Sequence, residues 1–86
     1  MNMQDALDAI YARIDKPENL SKKSFLVHHP SDVPSGNVFH DMLDKAREYL
    51  NRANKTDIPE NSPYYTEFTK TIKSISRWLD DNNWAK

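Results

Sequence analysis

The sequence contains no cysteine, which removes disulfides, thiolate metal ligands and a thiol nucleophile together. Small domains often staple a thin core with disulfides or a metal, so these 86 residues have to hold by packing. The absence of cysteine also fits a reducing cytoplasm, where we expect the protein to reside. Glycine occurs once, at Gly36, so tight left-handed turns are scarce. Neither a glycine-rich phosphate loop nor a GxSxG nucleophile elbow is present. No apolar run is long enough to span a bilayer. Residues 1–14 have no basic segment followed by an apolar stretch, so no secretory signal is expected. A surplus of charge is missing too. Twelve basic residues face thirteen acidic ones, for a net charge of −1. A dedicated DNA binder is usually basic and a DNA mimic strongly acidic; this chain is neither.

What is present is helical periodicity. Phe68, Ile72, Ile75 and Leu79 recur at i, i+4, i+7 and i+11, which places them on one helix face. Met3, Leu7, Ile10 and Ile14 repeat the same spacing near the start of the chain. Between them, Phe39, Met42, Leu43, Ala46, Tyr49, Leu50 and Ala53 form a broader apolar face. Opposite it, Asp41 with Lys45 and Glu48 with Arg52 make i,i+4 pairs worth roughly 0.2–0.5 kcal/mol each. Asn2 is placed to cap the first helix, and Asp5 suits the positive end of its dipole. Ser62 followed by Pro63 supplies a cap and a first-turn proline for the last helix. Pro17 should end the first helix at Asp15.

The predicted fold is all-α. It is a small three-helix domain, one domain over 1–86, with helices at 2–15, 37–53 and 62–82. A long extended connector is expected between helices 1 and 2. Within it, residues 24–29 have strand-like composition but no second strand to pair with. Phe25 with Val27, or else Leu26, should plug the core from that connector. Val33-Pro34-Ser35-Gly36 fits a type I turn, and residues 54–61 read as a polar linker.

Candidate sites are few. His28, His29 and His40 titrate nearest neutrality, and with Asp41 or Asp44 they are the one conceivable metal set. Adjacent histidines in an extended segment point apart, and no HExxH or comparable spacing occurs, so neither a metal nor a cofactor is expected. Carboxylate pairs such as Asp80-Asp81 read as surface charge, and no enzymatic constellation stands out. Lys70, Lys73 and Arg77 gather on the back of the last helix, where Lys22 and Lys23 could add to them. That would suit a nucleic-acid contact, although Glu67, Asp80 and Asp81 blunt it. The aromatic residues Tyr64, Tyr65, Trp78 and Trp84 exceed what three short helices obviously need. They either complete the core or anchor a partner.

In size and character the chain resembles the small helical accessory proteins of phages and mobile elements, inhibitors and immunity proteins included. No motif carries that likeness, and it transfers no residue roles. The function expected is therefore a non-enzymatic protein-binding regulator that occupies a partner protein's surface. Its contacts would be Tyr64, Trp78, Trp84, His28 and His29. The alternative is a nucleic-acid-binding accessory protein using Lys70, Lys73, Arg77, Lys22 and Lys23, and a homodimer is the third option.

Overall fold

The computed structural model describes residues 2–28, 34–55 and 62–86. Its elements are helix α1 (Met3–Ile14), a 3-10 turn (Pro17–Asn19), and helices α2 (Leu20–His28), α3 (Pro34–Lys55) and α4 (Pro63–Asp81). Among the described residues there is no strand, so the all-helical class holds while the count of three helices does not.

The caps follow local chemistry. The Asn2 side chain accepts a hydrogen bond from the Asp5 backbone N–H at 2.8 Å and so starts α1. Ser62 Oγ accepts from the Tyr64 N–H at 3.1 Å, with Pro63 at the first helical position of α4.

The expected extended connector is corrected in the structure. Among the described residues of the connector Lys16 is extended; Pro17 then opens a 3-10 turn that continues directly into α2. Residues 24–28 are helical despite their strand-like composition. The reason is hydrogen-bond satisfaction. With no strand beside it, the backbone can pair its own N–H and C=O groups only within a helix. Leu26, the alternative to Phe25 with Val27 as the expected plug, is buried, while the side chains of Phe25 and Val27 lie outside those described. Position 29 lies outside the described residues, as does Val33 of the expected type I turn. Pro34 starts α3 instead of turning the chain, because its fixed φ suits a first helical turn. Gly36 therefore lies inside a helix, and no glycine has positive φ among the described residues. At the other end α3 runs on to Lys55, two residues past the expected boundary.

Helix direction explains why no long crossing is needed. Phe39, early in α3, meets Trp78, late in α4, while Tyr49 meets Tyr64 at the opposite end. The two helices are thus antiparallel. Arg13, at the end of α1, bonds Asp80 at the end of α4, so these two run parallel. The last turn of α1 and the first turn of α3 consequently lie at the same end of the bundle, and α2 bridges them there. The principal contact is between α3 and α4, with α1 packed on both. One core cluster holds Met3, Leu7, Ile10 and Ile14 of α1, Phe39, Leu43, Ala46 and Leu50 of α3, and Phe68, Ile75 and Leu79 of α4. Ile72, expected to be equivalent to its neighbours in the stripe, is only partly buried.

Candidate functional site

At the end of the bundle closed by α2, residues 82–86 fold back and are held by side chains from the first quarter of the chain. Asn82 caps α4 and Asn83 takes a left-handed φ of 63°. The Trp84 N–H reaches the Leu79 carbonyl at 3.0 Å and the Asn83 N–H reaches that of Asp80 at 3.2 Å. Together these form a Schellman motif, with asparagine where glycine is more usual. The motif turns Trp84 inward. It is only 5 % exposed, its ring 6.5 Å from Phe39 and 6.4 Å from Trp78. Trp78 is half-buried and lies closer to Phe39, at 4.7 Å. Of the two roles the sequence leaves open for Trp84, the structure places it in the core.

Four side chains spaced three apart, Arg13, Lys16, Asn19 and Lys22, clamp this tail. Arg13 donates to the Trp84 carbonyl at 2.7 Å, to that of Ala85 at 3.2 Å and to the Asp80 carboxylate at 2.7 Å. Lys22 donates to the carbonyls of Asn82 and Asn83 at 2.9 Å each, and Lys16 to that of Lys86. Asn19 is 1 % exposed. Its amide accepts from the Ala85 N–H at 2.8 Å and donates to the Ala85 carbonyl at 3.0 Å and the Arg13 carbonyl at 2.8 Å. Cations against the carbonyl end of α4 also match its dipole.

The hydrogen bond from Arg13 holds the Asp80 carboxyl below the usual aspartate range; desolvation opposes this and nearby Lys86 adds to it. A lowered folded pKa contributes stability above the unfolded value of about 3.9 and loses it as pH falls through the folded value. The stability gap between wild type and Asp80→Asn should accordingly be present at neutral pH and shrink in acid. Urea titrations across that range would show it, and a gap independent of pH would contradict it.

Tyr64 stands edge-on to Tyr49, with centroids 4.9 Å apart, at the opposite end of the α3–α4 pair. Its hydroxyl is buried with no hydrogen-bond partner among the described residues, and desolvation pushes its pKa up against the opposing charge of Arg52. Deleting an unsatisfied buried hydroxyl removes a desolvation penalty of about 1–3 kcal/mol. Tyr64→Phe should therefore leave thermal stability unchanged or raise it. A clear loss would mean that the hydroxyl is bonded in solution.

Of the three histidines, His40 is the one whose side chain lies among the described residues. His28 is the last residue of α2, and position 29 is outside the described residues. His40 Nε2 lies 3.2 Å from the Leu26 carbonyl oxygen, tying α3 to the end of α2. Its ring also meets Phe39 edge-on at 5.9 Å. Among the described residues, no group of three or more His, Asp or Glu is placed to hold a metal. No described helix is long and apolar enough to cross a membrane.

The basic set divides. Lys70, Lys73 and Arg77 are all exposed on α4, and Lys70 pairs with Glu67 at 3.6 Å. Asp80, expected to offset Arg77, is taken by Arg13 and Lys86. Lys22 and Lys23 do not join the set, because Lys22 caps α4 and Lys23 pairs with Asp15.

Sequence reasoning missed a groove at the end of the bundle opposite the clamp. It is an open concavity of about 930 Å³ between the first turns of α1 and α4 and the last turns of α3. Its floor and walls include Met3, Ala6, Leu50, Ala53, Phe68 and Ile72. Tyr65 also lines it, with Asn2, Gln4, Asn54, Thr69 and Lys73 supplying the polar lining. At this end the small side chains of Ala6 and Ala53 leave space between the helices. One signal was available in the sequence: Tyr65, Thr69 and Ile72 share an i, i+4, i+7 edge beside the main stripe of α4. No family model matches this chain, and no curated protein or solved structure matches it significantly.

Proposed function

We propose that this protein is a small non-enzymatic regulator, of inhibitor, immunity or adaptor type, that works in the cytoplasm by occupying a surface of a partner protein. The observation that carries this reading is the open groove with its apolar floor, lined by few charged groups. An apolar surface groove can receive the apolar face of a partner's helix. The burial of Trp84 moves the expected contacts away from the C-terminal tail. They fall instead on the groove, with Tyr64 and Tyr65 on the first turn of α4 and Trp78 as a half-exposed aromatic at the far end.

One observation favours the second reading, nucleic-acid binding. Arg77 and Lys73 remain exposed on α4 while Asp80 is engaged by Arg13. The two readings differ in salt dependence. Phosphate contacts release counterions, so binding by that route should weaken steeply between about 50 and 200 mM salt. Binding through an apolar groove should change little over the same range. A steep slope that flattens in the Lys70→Ala/Lys73→Ala/Arg77→Ala variant would replace the protein-binding reading with the second.

A further inference from the structure

We propose that the occupant of the groove is an amphipathic helix of a partner protein with acidic residues along one flank. This rests on the protein-binding reading above and names the class of partner. Three observations lead to it. First, Ala6 and Ala53 lie on different walls, and such small residues admit a helix backbone close to the floor formed by Phe68 and Ile72. Second, among the described residues the lining contains one cation, Lys73, and no carboxylate. Arg77 lies one turn further along the same helix and is exposed, while Lys70 is paired with Glu67, so an approaching acidic flank meets Lys73 and Arg77 on the α4 side. Third, the described surface of a second copy offers no ready occupant. Leu20 and Val38 are the exposed large hydrophobic residues among those described, and they do not form a helical stripe. Laying an apolar helix face into a groove, with charges at the rim setting orientation, is an established mode of recognition.

The test is selection from a displayed library of helix-forming peptides on immobilised wild-type protein, followed by affinity measurements on Thr69→Glu and Lys73→Glu. Both positions are exposed, so neither change touches the core, and unchanged melting curves confirm it. Selected peptides should carry apolar residues at i, i+3 or i+4, and i+7, beside a run of Asp or Glu. Thr69→Glu should weaken them about tenfold or more, and selection on Lys73→Glu should turn the flanking charge toward Lys and Arg. Peptides indifferent to Thr69→Glu, or an acidic bias unchanged by Lys73→Glu, would overturn the proposed occupant while leaving a protein-binding role intact. No enriched peptide, together with salt-labile binding of a DNA or RNA oligonucleotide, would overturn the protein-binding reading itself. Concentration-dependent self-association abolished by Thr69→Glu would assign the groove to a second copy.

Discussion

Replacing Asn19 with alanine is expected to lower the unfolding free energy by about 2–4 kcal/mol, the sum of its lost hydrogen bonds and the stranded backbone groups. Asn19 is the buried polar residue among those described, and its amide meets both the N–H and the C=O of Ala85. The same amide bonds the Arg13 carbonyl at the end of α1. One side chain therefore joins the turn before α2 to the tail after α4. Chains of this length have about 4–13 kcal/mol in total, so the loss is a large fraction. Asn19→Asp is the informative companion. It keeps the acceptor for the Ala85 N–H but turns a carboxylate oxygen toward two carbonyls, so it should also destabilise. Urea unfolding measures both variants, and a loss under about 0.5 kcal/mol for the alanine change would mean that the clamp is not formed.

Truncating Ile75 to alanine should cost about 2–5 kcal/mol, since its side chain is fully buried and a cavity remains behind it. Ile72→Ala should cost clearly less. Periodicity makes these two residues equivalent, but Ile72 lines the groove and is only partly buried. The contrast in denaturation midpoint between the two variants therefore reports on the groove as well as on the core. Equal losses would mean that Ile72 is covered in solution, and no loss at Ile75 would contradict the fold.

The apolar stripes and both side-chain caps were legible in the sequence because each is a local pattern. Met3, Leu7, Ile10 and Ile14 all reach the core, as do Phe68, Ile75 and Leu79. α2 was not legible. Phe25, Leu26 and Val27 favour a strand by propensity, and only the absence of a pairing strand makes helix the better outcome. The clamp was hidden for a different reason. Arg13 and Asn19 bond backbone atoms more than sixty residues away, and such contacts leave no spacing rule. Trp84 shows how the two interact. Its distance from the main stripe leaves a core role and a contact role both open, and the left-handed Asn83 and the clamp carry it onto Phe39 and Trp78. The groove depends on α1 running parallel to α4, and helix direction is not written in periodicity.

The most direct measurement is site-specific photo-crosslinking in lysate, with the reactive group placed at Thr69 in the groove and, separately, at Ser24 on α2. A discrete protein captured from position 69 but not from 24, at both low and moderate salt, is the result expected. Capture of nucleic acid, or capture from position 24 alone, would contradict a protein-binding groove.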